Sequence, residues 1–261
     1  MKPRAALLPL SELRASDIRA LLFDVDDTLT TDGRLTADAY SALERLKRAD
    51  RIVVPVTGRP AGWCDHIARM WPVDAVVGEN GAFYFWYGEG KLHRRYQDNE
   101  ETRRENLQRM KSISKKILSS VPGSAIAADQ AYRETDLAID YREDVPALPL
   151  EAAERIAALM REAGLTAKVS SIHVNGWFGA YDKLAMAKRL FAERFSMDLD
   201  AANRTVAFVG DSPNDEPMFG FFENSVGVAN VRSFRLASPP RFVTREKSGQ
   251  GFVELAAHLL K

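Results

Sequence analysis

The strongest constraint in this sequence is a set of short apolar runs that each stop abruptly at acids or glycine. Leu21-Leu22-Phe23 runs into Asp24-Val25-Asp26-Asp27, and Ile52-Val53-Val54-Pro55-Val56 stops at Thr57-Gly58-Arg59-Pro60. Asp74-Ala75-Val76-Val77 exits through Gly78-Glu79-Asn80-Gly81, Thr205-Val206-Ala207-Phe208-Val209 exits through Gly210-Asp211, and Ser225-Val226-Gly227-Val228-Ala229 is a fifth run. Runs of this length, rich in β-branched residues and bounded by turn formers, predict strands. Between them lie helical spacings, with Leu43 and Leu46 inside 36–50 and Leu184, Ala187, Leu190 and Phe191 inside 183–195. Strands that are apolar on both faces and alternate with helices predict an α/β fold whose parallel sheet is covered on both sides. Such sheets bind ligands beyond the carboxyl ends of their strands, which is where the polar residues of this chain collect.

The stretch between the third and fourth runs differs in character. Phe83-Tyr84-Phe85-Trp86-Tyr87, Gly88-Glu89-Gly90 and Lys91 to Tyr96 read as an aromatic hairpin with a glycine turn. Asn99 is placed to cap a helix carrying Leu107, Met110, Ile113 and Ile117 on one face. Strand-like runs at 125–128 and 137–141, a helix at 150–162 and a strand at 166–174 complete a self-contained unit. At 261 residues the chain is long enough for two domains or for one with a large insertion. The expected division is a core of 1–83 and 177–261, interrupted by an inserted α/β unit at 84–176.

Charge narrows the choice of ligand. Thirty-six Lys and Arg residues balance 36 Asp and Glu residues, so no global field draws the chain to nucleic acid or acidic lipid, and anion binding must be local. Cys64 is the only cysteine, which rules out an internal disulfide and suits a reducing compartment. The early apolar run from Ala5 to Leu8 is cut short by Pro9, short of the apolar stretch a secretory signal needs. No segment approaches the ~20 apolar residues of a membrane span. The expectation is a cytoplasmic protein.

Asp24 and Asp26 lie two residues apart at a strand end, so while the chain stays extended both carboxylates can face one pocket. Carboxylates crowded in this way repel unless a cation neutralises them. A hard cation with oxygen ligands, Mg²⁺ above all, fits that need. Taken alone, the motif is equally well read as acids closing a turn. Gly210-Asp211-Ser212-Pro213-Asn214-Asp215 adds a second acidic strand end. A helix cap explains one of those acids but not readily both. Thr57-Gly58 supplies a hydroxyl and backbone amides suited to phosphate oxygens, although as a pair they also read as an ordinary turn. Lys183 opens a helix, where the dipole disfavours a cation, and by itself reads as a surface lysine.

Taken together, DVDDTLT at 24–30, VTGRP at 56–60, Lys183 and GDSPNDEPMF at 210–219 resemble the motifs of the haloacid dehalogenase-like superfamily, in the family's order. The insertion resembles the large α/β cap of its Cof-type subfamily (IIB). The proline in GDSPND is similar to that of mannosyl-3-phosphoglycerate phosphatases, which share this cap type. The resemblance implies a Rossmann-like parallel-sheet core with an inserted α/β cap, and a phosphatase working through an aspartyl phosphate. It implies that Asp24 attacks phosphorus while Asp26 protonates the leaving oxygen and later deprotonates water. It implies Mg²⁺ held by Asp24, Asp26 (through its carbonyl), Asp211 and Asp215, with Thr57, Gly58, Lys183 and Asn214 on the phosphoryl oxygens or on one another.

The substrate implied is a small phosphorylated metabolite, such as a sugar phosphate or a phosphoglycerate derivative, with no nucleic acid and no membrane as partner; a homodimer is left open. A phosphomutase on the same scaffold or a non-catalytic phospho-ligand sensor are the rival readings. An acid at position 26 favours hydrolysis over both. In the inserted unit, Arg94 and Arg133 are the candidates for substrate contact, since arginine suits carboxylate or phosphate. The aromatics at 83–87 read as core of the inserted sheet, and Arg103, Arg104, Lys111, Lys115 and Lys116 as a solvated helix face. His93 and His173 read as structural.

Overall fold

A computed structural model describes residues 7–261 of the chain. The elements in order are β1 (Leu8–Pro9), β2 (Ala20–Phe23), α1 (Ala37–Arg48), β3 (Ile52–Pro55), α2 (Ala61–Met70), β4 (Val76–Gly78), β5 (Phe83–Gly88), β6 (Lys91–Tyr96), α3 (Glu100–Ser120), β7 (Ala125–Ile126), β8 (Leu137–Asp140), α4 (Leu150–Glu162), β9 (Thr166–Val169), β10 (His173–Trp177), α5 (Lys183–Phe195), α6 (Leu199–Ala202), β11 (Val206–Gly210), α7 (Glu216–Phe221), β12 (Asn224–Gly227), β13 (Phe242–Val243) and α8 (Ser248–Leu259).

Six strands form one parallel sheet in the order β1-β13-β12-β11-β2-β3. β2 and β11 are neighbours in its interior, and every residue of both is buried. Their missing polar faces are explained by the two layers that cover them. Leu21, Phe23 and Val209 pack with Leu43 and Leu46 of α1 and Phe252 and Leu255 of α8 on one side. Leu22 and Phe208 pack with Met186, Leu190 and Phe191 of α5 on the other. Thr36 caps α1 and Asp182 caps α5, each side-chain oxygen accepting a backbone N–H three residues on.

The aromatic hairpin forms as its sequence predicts, but it does not belong with the inserted sheet. β5 pairs with β4, which is joined to the end of β3 by a parallel bridge between Val56 and Val77. Tyr84 and Trp86 pack on α5, while Phe83 and Phe85 pack on α2. Both faces of β5 are therefore buried on the core side, so the boundary expected at residue 84 falls inside an element that pairs away from the insertion.

The remaining insertion has its own sheet, β7-β8-β10-β9, antiparallel throughout. It buries Ile117 of α3 and Ile156 and Met160 of α4 in a separate apolar cluster. Asn99 caps α3 as expected, its Oδ1 accepting from Thr102 N at 2.9 Å. The single strand expected at 166–174 is instead the hairpin β9–β10. Its turn is made by Ser170, whose Oγ accepts from His173 N at 3.0 Å, a side-chain bond of the kind that closes turns. Among the described residues no helix is long and apolar enough to cross a membrane.

Candidate active site

Asp24 directly follows β2 and is tied to the sheet by donating its N–H to Val209 O at 2.9 Å. Asp211 follows β11 next to it, and Asp215 sits one turn later in a short 3₁₀ segment. All three carboxylates are buried, and each offers an oxygen within 4.8 Å of the others. Gly210 permits this crowding, because a Cβ there would lie 2.3 Å from Asp215 Oδ2. Lys183, the first residue of α5, sends Nζ to Asp24 Oδ1 and Asp215 Oδ1, both at 2.8 Å. The helix dipole disfavours a cation there, but two buried carboxylates at contact distance outweigh it.

One ammonium does not balance three carboxylates. Burial, resisted by Lys183 and aided by Asp215 and Asp26, pushes Asp24 up to about 7. Burial together with the charges of Asp215, Asp24 and Asp27 pushes Asp211 up as well. Among the described residues the neutral donors reaching the Asp211 carboxylate are the Thr28 hydroxyl and the Asn230 amide, both at 3.4 Å. A buried, oxygen-only, under-neutralised cluster is what a hard divalent cation requires, so Asp24, Asp211 and Asp215 fit Mg²⁺.

Asp26 reaches the same cleft but is held. Arg59 grips it with Nε at 3.0 Å from both oxygens and Nη2 at 2.8 Å from Oδ1. The same Nη2 donates to Glu143 of the insertion at 2.8 Å, and Glu143 Oε2 lies 2.9 Å from His173 Nε2. A chain of ion pairs thus runs from Asp26 across the gap between the two sheets. Thr57 is fully buried, its Oγ1 accepting from Arg59 N at 3.0 Å.

The other expected residues are placed unequally. Gly58 and Asn214 line the cleft, Asn214 accepting the Ser212 hydroxyl at 2.8 Å. Arg133 also reaches its wall, but its guanidinium is fully engaged by Asp129, Asp136 and the Gly58 carbonyl at 2.9–3.1 Å. Arg94 is not brought there: β6 carries it onto α2, where it pairs with Asp65 at 3.0 Å. Residues that sequence reasoning did not assign complete the lining, namely Arg59, Asn80 and the 170–172 turn with His173. Arg59 stood inside a motif already singled out; Asn80 and the serines of the turn carry no spacing that would have marked them. The insertion lies closed on the core, and the cavity left between them is about 20 Å³, room for a single water molecule.

A family model for haloacid dehalogenase-like hydrolases matches residues 21–135, the segment holding Asp24, Asp26 and Thr57. Over that segment the chain resembles the haloacid dehalogenase-like hydrolases. It is similar to a phosphoglycolate phosphatase of Haloarcula marismortui, 27% identical over 243 residues that span 93% of this chain and 97% of that protein. A phosphoglycolate phosphatase of Methanothrix thermoacetophila is 24% identical over 248 residues, again 93% and 97%. In fold it resembles the C-terminal domain of trehalose-6-phosphate phosphatase from C. albicans, with a TM-score of 0.72 at 15% identity and coverage of 98% and 99%.

Proposed function

We propose that the chain hydrolyses a small phosphorylated metabolite, with Asp24 as the covalent nucleophile and Mg²⁺ as cofactor. The observation that carries this reading is the buried Asp24, fixed by Lys183 and crowded by Asp211 and Asp215. Three buried carboxylates that share one ammonium serve no packing purpose. The acids Asp24, Asp211 and Asp215 would hold the cation, whose charge would neutralise the cluster and the phosphoryl oxygens.

Asp24 attacks phosphorus in line, forming the acyl phosphate as the ester P–O bond breaks, and Asp26 passes a proton to the departing oxygen. Asp26 then takes a proton from the water that attacks the same phosphorus, releasing phosphate and regenerating Asp24. Lys183 and Thr57 hold phosphoryl oxygens, and Asn214 helps to seat them. Proton transfer at Asp26 requires the Arg59 fork to shift, which ties the step to the insertion through Glu143. The cleft of about 20 Å³ also requires the 170–172 turn to move before substrate enters.

A sugar phosphate or a short phosphorylated acid such as phosphoglycolate is the substrate class the reading favours, supported by the names of the relatives. The insertion acts as the cap that selects among them. The test is a panel of such esters assayed with Mg²⁺ and with chelator, beside Asp24→Asn. Turnover that needs Mg²⁺ and falls by roughly a thousandfold or more in the variant is the expected result. Near-wild-type turnover in Asp24→Asn would contradict it.

A further inference from the structure

The turn after β4 carries a donor that the proposed chemistry leaves unused. Glu79, Asn80 and Gly81 have φ of 41°, 56° and 105°, three left-handed residues in succession. Backbone of this kind persists only where its surroundings over-determine it. Here the Glu79 carboxylate accepts from Ala61 N and Glu134 N at 2.9 Å, from Thr135 N at 2.7 Å and from the Thr135 hydroxyl. Gly81 lies against the start of α5, since a Cβ there would meet Asp182 O at 2.1 Å. The turn that seats Lys183 therefore also fixes Asn80, whose N–H donates to Thr57 O at 3.1 Å.

Asn80 is 4% exposed and lines the cleft with Asp24, Asp26 and Gly58. Its Nδ2 is buried without a hydrogen-bond partner. Among the described residues two other buried side-chain atoms share that condition, and neither is comparable. Arg51 belongs to a guanidinium that donates to Ile18 O and Leu259 O, and His173 Nε2 has Glu143 at 2.9 Å. Gly58 is shaped around the amide: a Cβ there would lie 3.1 Å from Asn80 Oδ1 and 3.2 Å from Nδ2. An amide donor left unmade in the interior costs about 1–3 kcal/mol, and an acceptor oxygen entering the cleft would satisfy this one.

We propose that Asn80 binds the transferring phosphoryl group directly, Nδ2 donating to one of its oxygens beside Gly58. The proposal rests on the phosphatase reading above. A neutral donor suits the place, because it holds an anionic oxygen without competing with Lys183 for Asp24.

Inorganic phosphate, used as an inhibitor of the Mg²⁺-supplemented enzyme, tests it. Asn80→Gly keeps the left-handed backbone and removes only the amide. Its inhibition constant for phosphate should rise, and its kcat/KM fall, by roughly tenfold. The Tm of the ligand-free protein should not fall, because no bond within the protein is lost. Asn80→Asp keeps the shape, replaces the donor with an acceptor and should weaken phosphate by more than roughly tenfold. Phosphate binding within about twofold of wild type in both variants, or weakening matched by a lower ligand-free Tm in both, would overturn the assignment. If Asp24→Asn stays active, Asp24 is not the nucleophile, and if the wild type turns over no phosphate ester with Mg²⁺, the phosphatase reading itself fails. If the wild type turns over an ester while both Asn80 variants bind phosphate normally, only the role of Asn80 fails.

Discussion

Two buried charge clusters lie side by side in this molecule, and they are built on opposite principles. Where the insertion meets the core, Arg133 is gripped by Asp129 and Asp136 and also donates to Gly58 O, and Asn175 Nδ2 donates to Asp136 at 2.9 Å. Arg133 meets both carboxylates in good hydrogen-bond geometry, as a buried ion pair needs if it is not to be a liability, and the buried Glu79 beside them is held by hydrogen bonds from the protein itself. At the ends of β2 and β11, three carboxylates share one lysine. The first cluster is complete within the protein and holds the two sheets together. The second is completed only by something that binds.

Breaking the complete cluster should have the largest effect on stability. Arg133→Ala strands Asp129 and Asp136 in the interior, and urea unfolding should show a loss of about 3–5 kcal/mol. A loss below about 1 kcal/mol would mean that the two clusters do not differ as described.

The incomplete cluster should respond in the reverse sense. Folding raises Asp24 from 3.8 to about 7, so between those values the folded, metal-free protein binds more protons than the unfolded chain. Its stability should therefore fall as pH rises through that window. Asp24→Asn should flatten the fall, and Mg²⁺ at about a hundredfold excess over its Kd should add about 2–3 kcal/mol above it. Thermal melts from pH 4 to 8, with and without Mg²⁺, measure both effects.

The bridge from Asp26 through Arg59 and Glu143 to His173 gives the smallest effect. Burial alone would raise Glu143, but hydrogen bonds from His173 and Arg59 overrule it and hold the carboxyl down at about 2. Its contribution is present above its ordinary 4.5 and is lost as pH falls toward 2. Glu143→Gln should cost about 1 kcal/mol near neutrality and make the acid limb of the stability curve shallower. Unchanged melts at every pH would remove Glu143 from the bridge.

The contrast also explains what could be read from the sequence. β2, β3 and β11 were legible because a strand buried on both faces must be a continuous apolar run. Asp24, Asp211 and Asp215 were legible only together, because a turn or a helix cap accounts for one acidic strand end but not readily for two in one sheet. The place of the hairpin β5–β6 was not legible: alternation fixes which side chains share a face, but not which sheet takes the strand. The break at Ser170 was hidden because two serines interrupt a strand pattern only weakly. Arg133 and Arg94 looked alike as cations, and their difference rests on partners at 129, 136 and 65 that only the fold brings to them. Asn80 owes its position to a left-handed turn whose support comes from residues 61, 134, 135 and 182.

The central claim is that Asp24 becomes covalently phosphorylated. Acid-quenching the enzyme during turnover of a phosphate ester with Mg²⁺, followed by mass spectrometry of its peptides, tests it most directly. A phosphoryl group on the Asp24 carboxylate, lost in Asp24→Asn, is the predicted result. Steady turnover with no adduct at Asp24 across the quench times, or an adduct at another residue that persists in Asp24→Asn, would contradict it.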